Sequence, residues 1–350
     1  MIKESHMNDF LASVLGTKAV VLMLSLLAAF SVSSEEVLYL SNADGDLELY
    51  VSDLVSGKTR QLTNNDLDDN QASWSPDGKW IVYTGRVGAD LEVFMISSSG
   101  KNSRRLTYND SGIDFSPQWS NDGEKILYIT QTKSSYSLLE LDLKSNKTNM
   151  LVTGTLEIKS PKWSPDNRLV SYISIDGKAS HLNAINLVSK KITPLTSFVK
   201  EQHIDFNWSP NSQDIVFCAR RKKVIDLYTI NVESRKETQL TNLWTIDTEA
   251  AYSPDGEKLL FLSSREDKVR RQLFIGDKSL KKVAAITPKN VEVLNPSWSI
   301  DGSSVAFSLY SQRRFVVMVK DLKTGENKLL NAMDKGFQYF PKFRPVVNVL

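Results

Sequence analysis

Seven aromatic residues recur along this 350-residue chain at a nearly fixed interval: Tyr39, Tyr83, Tyr128, Tyr172, Phe217, Phe261 and Phe307, spaced 44, 45, 44, 45, 44 and 46 residues apart. Each sits in a short apolar run, from Val37-Leu38-Tyr39 to Val305-Ala306-Phe307, so one structural unit is being copied. A period in the forties belongs to solenoids or propellers, and that excludes most single-core folds.

A second marker keeps step with the first. Trp74-Ser75-Pro76-Asp77-Gly78 returns as pentads beginning at Trp119, Trp163, Trp208, Tyr252 and Trp298, each nine residues before its aromatic. The chemistry is that of a tight turn: Pro presets φ, Asp bonds neighbouring backbone, and Gly or Asn accepts positive φ. A strand must precede each turn and another must follow it. A third strand comes after a polar loop, and a fourth ends at Leu62-Thr63, Leu106-Thr107, Leu151-Val152, Leu195-Thr196, Leu240-Thr241, Ile286-Thr287 and Leu329-Leu330. No segment after Phe30 sustains a 3.6 period, so the units are four-stranded propeller blades with strands A to D from the inside out. The first copy lacks strand A, and Phe343, 45 residues after Trp298, supplies it from the other terminus. The expected fold is all-β: a seven-bladed β-propeller of four-stranded antiparallel blades, closed by pairing C-terminal strand A with N-terminal strands B to D. Such closure removes open sheet edges.

The Trp-Ser-Pro-Asp-Gly turn, the apolar strand after it and the terminal Leu-Thr pair resemble the TolB-like propellers over residues 37–345. TolB itself looks six-bladed with a separate N-terminal domain, whereas seven copies are counted here and no such domain is read ahead of them. The resemblance implies an exported propeller that docks other proteins, with a Pal-like envelope protein as one possible partner, and leaves the pentads a structural role.

Residues 19–30 (AVVLMLSLLAAF) form an apolar run after Lys18 and before small residues, which reads as a signal peptide or short anchor within residues 1–34, ahead of a single propeller domain at 35–350. The run is shorter than the roughly 20 residues of a spanning helix. A mature periplasmic monomer without a membrane span is expected. The single cysteine, Cys218, permits no internal disulfide and reads as a buried inert thiol. Lys plus Arg number 43 against 41 Asp plus Glu, so no general attraction to nucleic acid follows and electrostatic function must be local.

Alternating strand direction puts the B–C loops and D-to-A connections on one face. Five or six residues before each strand-A aromatic stand Asp69, Asp114, Glu157, His203, Asp247, Glu292 and Gln338. Converging on the channel mouth, they would take a partner's Lys, Arg or amine, or a divalent cation such as Ca2+ held by Asp69, Asp114 and Asp247. The structural alternative has each acid bonding amide groups where the chain enters strand A. On the same face the B–C loops carry Arg220, Arg221, Lys222, Lys223, then Lys268, Arg270, Arg271, then Arg313 and Arg314, an outer basic arc. It would meet an acidic protein surface or an anionic polymer, or serve only solubility.

Catalysis has few candidates. No Gly-x-Ser-x-Gly elbow is present, and His181 and His203 occupy non-equivalent positions of adjacent blades. Carboxylate pairs such as Asp114 with Asp247 or Glu157 with Glu292 are the remaining route, as a lyase or glycosidase on an envelope or extracellular polysaccharide. The expected function is a non-catalytic protein-binding scaffold of the cell envelope.

Overall fold

The computed structural model describes residues 35–177, 179–196, 202–221, 223–330 and 336–345, without the side chains of residues 202–204. The leader at 1–34 and Lys222 lie outside the described residues. Seven four-stranded antiparallel sheets follow one another. No helix among the described residues is long and apolar enough to cross a membrane.

Blade 1 joins the termini: strand A, Gln338–Phe343, pairs with Glu36–Ser41, which pairs with Glu48–Asp53 and then Thr59–Gln61. Glu36 locks that seam. It is buried, and its two oxygens bind Arg60 at 2.5 Å and Arg344 at 2.7 Å, while Arg344 N–H donates to the Glu36 carbonyl at 2.8 Å. Blades 2 to 7 begin with inner strands Asn70–Trp74, Gly112–Trp119, Glu157–Trp163, Gln202–Trp208, Asp247–Tyr252 and Val293–Trp298.

The pentad turns form as their chemistry requires. Ser75 Oγ donates to Asp77 at 2.6 Å and accepts Trp80 N–H at 3.0 Å. The fifth position is left-handed in every copy, with φ between 58° and 75° at Gly78, Gly123, Asn167, Ser212, Gly256 and Gly302. Three of the pentad tryptophans staple neighbours together: the indoles of Trp74, Trp119 and Trp298 donate to Lys342, Ser73 and Ala251 carbonyls of the preceding blade, each at 3.2 Å. The seven repeated aromatics are buried on strand B. In four blades they stack on a strand-C ring, as Tyr39 on Tyr50, Tyr83 on Phe94, Phe217 on Tyr228 and Phe261 on Phe274. Core clusters therefore lie between blades, for example Leu38 and Leu49 of blade 1 with Trp74 and Ile81 of blade 2.

Candidate functional site

Each inner strand carries an irregularity that shifts its pairing with strand B. In six blades the residue three before the strand-A aromatic is left-handed there: Gln71, Ser116, Ser160, Glu249, Asn295 and Phe340, with φ from 50° to 56°. Such a bulge re-aims side chains. Here they reach from blade to blade around the axis. Gln71 Oε1 accepts Ser116 N–H at 2.7 Å, Glu249 Oε2 accepts Asn295 N–H at 2.8 Å, and Asn295 Oδ1 accepts Phe340 N–H at 3.4 Å.

Two residues later in the same strands, Lys162 Nζ donates to the Phe206 carbonyl and to Asn207 Oδ1 at 2.8 Å, and pairs with Asp205 at 3.2 Å. Asn207 donates to Ala250 O at 2.7 Å, Ser297 to Pro341 O at 2.7 Å, and Lys342 to Ala72 O at 2.9 Å. Burial, then repulsion from Lys162, lowers the Lys342 pKa to about 8. Burial raises Glu249 to about 7 against the pull of Asn295 N–H and Arg271. These polar contacts run from blade 4 through blades 5, 6, 7, 1 and 2 to blade 3 and commit inner-strand donors to neighbouring blades.

Sequence reasoning placed the mouth at other residues, and most of those turn out to be held in contacts between and within blades. In blade 2, the Glu92 carboxylate is fully buried; it accepts Thr107 Oγ1, Asn109 N–H at 2.8 Å and Arg105 at 2.6 Å. Asn109 Nδ2 then donates to Asp114 of blade 3 at 3.0 Å, and Thr130 Oγ1 to the same oxygen at 2.6 Å. Asp69 accepts Asn65 Nδ2 at 3.0 Å in the same relation to blade 1. Asp247 accepts Ser263 Oγ and lies 3.7 Å from Arg265, and Gln338 Oε1 accepts Val317 N–H at 2.9 Å. The Leu-Thr ends belong to this clasp: Thr63, Thr107, Thr196, Thr241 and Thr287 each accept a strand-C N–H at 2.9–3.1 Å.

Asp69, Asp114, Asp247 and Gln338 are accordingly buried, at 3, 3, 0 and 2% exposure. Burial first, then Glu48, raises the Asp69 pKa to about 7, and burial raises Asp114. Asp69, Asp114 and Asp247 stand in blades 2, 3 and 6; among the described residues, the group of three carboxylates whose oxygens lie within 4.8 Å of one another is Asp44, Asp46 and Glu48. Glu157 is partly exposed and pairs with Lys159 at 2.9 Å. His203 is on strand Gln202–Trp208 opposite Ala219, and its side chain lies outside the described residues.

The basic arc divides. Arg271 turns to the axis, bonding Glu292 at 2.9 Å and approaching Glu249 at 3.7 Å, so it is a mouth residue joining an expected site residue to a missed one. Arg221 lies 3.9 Å over the Tyr228 ring and binds Glu237 at 2.7 Å. Arg314 is half-buried, and Arg220, Lys223, Lys268, Arg270 and Arg313 are exposed. Among them stands apolar surface. Trp244 and Val269 are 87% and 86% exposed, with Leu243 and Ile246 beside them, and Ile246 N–H bonded to Ser264 at 2.9 Å ties the D-to-A connection to the loop bearing Val269. Further round, Tyr310, Phe315, Tyr339 and Phe340 form a chain of ring contacts with centroids 5.2–6.3 Å apart. Three clefts of about 740, 700 and 630 Å³ are lined by pentad and C–D turn residues such as Pro76, Gly123, Ser212 and Gly256, and one of about 380 Å³ is lined by Asp69 with Asn65, Asp66 and Arg86. Cys218 is buried, and burial pushes its thiol up to about 12.

The TolB beta propeller domain model matches residues 23–187 and 147–345. The Tol-Pal system protein TolB of Desulfosudis oleivorans is 26% identical over 85 residues, 24% of this chain and 18% of that protein. The chain spans half or less of the length of the curated relatives it matches. In fold, the crystal structure of TolB from Acinetobacter baumannii superposes with a TM-score of 0.57 at 15% identity, over 85% of this chain and 79% of that one. An oligogalacturonate lyase in complex with manganese superposes with 0.70 at 15% identity, over 86% and 87%. On the extent of the family match and the blade architecture, the chain belongs to the TolB β-propeller family.

Proposed function

We propose that this protein is an exported, non-catalytic scaffold that docks an envelope protein on the face formed by its B–C loops and D-to-A connections. The observation that carries the reading is Trp244 with Val269, both more than four-fifths exposed, on the same face as the exposed Lys268, Arg270, Arg220 and Lys223. Trp and Arg are the residue types enriched in interface hot spots, and this face exposes both. The partner surface is then apolar at its centre and acidic around it. The naming of one relative as the TolB protein of the Tol-Pal system supports an envelope partner of the Pal kind. The apolar run at residues 19–30 supports export to the periplasm.

The polysaccharide-cleaving alternative has weaker support, because Asp114 and Asp247 are buried and hydrogen-bonded, Asp114 by Asn109 and Thr130 and Asp247 by Ser263, while Glu157 and Glu292 are paired with Lys159 and Arg271. The test is capture from detergent-solubilised envelope with wild-type protein and with Trp244→Ala/Val269→Asp, folding checked by circular dichroism. The reading expects a stoichiometric partner held by wild type and lost from the double variant; retention of that partner by the folded variant overturns it.

A further inference from the structure

Blades 1 and 2 solve the same electrostatic problem in different ways. The fully buried strand-C carboxylate of blade 2, Glu92, is neutralised by Arg105, which pairs across from Phe94. In blade 1 the equivalent carboxylate is Glu48, also 0% exposed, and the residue across from Tyr50 is Gln61. Gln61 sends its amide to Asp44 instead, at 2.5 Å. Glu48 Oε1 still accepts Asn65 N–H at 2.6 Å, as Glu92 accepts Asn109, but its Oε2 is buried with no hydrogen-bond partner. No guanidinium reaches it among the described residues, and three more carboxylates do: Asp44 and Asp46 on its own loop, and Asp69 at the entry to blade 2.

The loop between strands B and C of blade 1 reads Asn42-Ala43-Asp44-Gly45-Asp46-Leu47-Glu48. It descends from exposed Asp44 through half-buried Asp46 to Glu48 at the floor, and carboxylate oxygens of the three lie within 4.8 Å of one another. Asp46 Oδ2 is a second buried oxygen without a partner. Asp68 fixes the loop by accepting Leu47 N–H at 2.9 Å and adds further negative charge nearby. Asp46 and Glu48 each bring a buried, unbonded oxygen to this group and Asp44 adds an exposed carboxylate, an arrangement that carries a desolvation and repulsion cost unless a cation joins it.

We propose that this loop is a divalent-cation site, with calcium bound by Asp44, Asp46 and Glu48 in the place that the Arg105 guanidinium takes in blade 2. The donor set is all oxygen, which suits Ca2+ and gives no nitrogen or sulfur preference for zinc or copper. Asn42 in the same loop exchanges bonds with Phe337, accepting its N–H at 2.7 Å and donating to its carbonyl at 3.3 Å, so ligation tightens the closure of the ring. The inference does not depend on the docking reading.

The experiment uses the mature chain stripped with EDTA and titrated with CaCl2 by calorimetry, followed by melts with and without calcium. Wild type should bind with a dissociation constant on the order of 0.1–1 mM, as extracellular calcium modules do, and should melt a few degrees higher in saturating calcium. Asp46→Asn should weaken binding about tenfold or more. Gln61→Arg should import the blade 2 arrangement, melting higher than wild type in EDTA and losing the calcium response. Absence of any heat or melting shift in folded, stripped wild type overturns the proposal, as does a full calcium response in both variants; should Asp46→Asn fail to fold, Gln61→Arg decides alone.

Discussion

Replacing Glu36 with Gln should loosen the seam between the two ends of the chain by an amount the structure bounds. Glu36 is 6% exposed and faces Arg60 and Arg344, whose side chains are 34% and 29% exposed. Breaking a fully buried ion pair costs about 3–5 kcal/mol. Both guanidiniums here retain some solvent and keep carbonyl partners, Arg60 on Ser98 at 2.9 Å and Arg344 on Gly78 at 2.8 Å. About 2–3 kcal/mol is therefore expected, between that figure and the near-zero worth of a surface pair. At a urea slope of about 3 kcal/mol/M, the midpoint falls by roughly 1 M.

The same carboxylate sets an acid limit. Burial pushes the Glu36 pKa up, but Arg60 and Arg344 more than offset this and hold it below its ordinary value. Its contribution is complete above the unfolded value and is lost as pH falls through the folded one. Wild type and Glu36→Gln should thus converge in acid and separate toward neutral pH. Glu257→Gln is the control, since its partner Lys278 lies at 3.0 Å but both side chains are more than half exposed. A Glu36→Gln midpoint shifted no further than the Glu257→Gln midpoint would refute the claim that this seam closes the ring.

Two further outcomes follow from named contacts. Trp119→Phe should cost about 1 kcal/mol because its indole bonds Ser73 across the blade boundary, whereas Trp163→Phe, whose Nε1 is buried without a partner, should cost less or stabilise; equal costs in urea melts would remove the staple. Glu249 has a pKa raised to about 7, so wild-type stability should fall as pH rises from the ordinary carboxyl range to about 7, and Glu249→Gln should flatten that slope when melts are compared across pH.

Turn chemistry and strand alternation are local properties, which is why blades, pentads and the strand exchange between termini could be read from spacing. Ser212 even adopts the left-handed φ its place in the pentad demands, despite lacking glycine's freedom. The site was less legible. Asp114 stands where the repeat put it, but Asn109 and Thr130 claim it, and those partners are visible only once blades are packed. The inner bulge leaves no glycine signature, since Gln71, Glu249 and Asn295 hold positive φ, so the side chains reaching around the axis were displaced from the expected set. Their constant offset of three residues from the strand-A aromatic was the available signal. Arg271 shows the same limit for charge: loop membership places it on a face, and only Glu292 and Glu249 reveal its direction.

The docking face is tested most directly by photo-crosslinking in the living envelope, with a photoreactive residue placed in turn at positions 244 and 269 and, on the opposite face, at the exposed positions 55 and 188. The account predicts one shared protein adduct from 244 and 269 and none from 55 or 188. Adducts from 55 or 188 with none from 244 and 269 would contradict it.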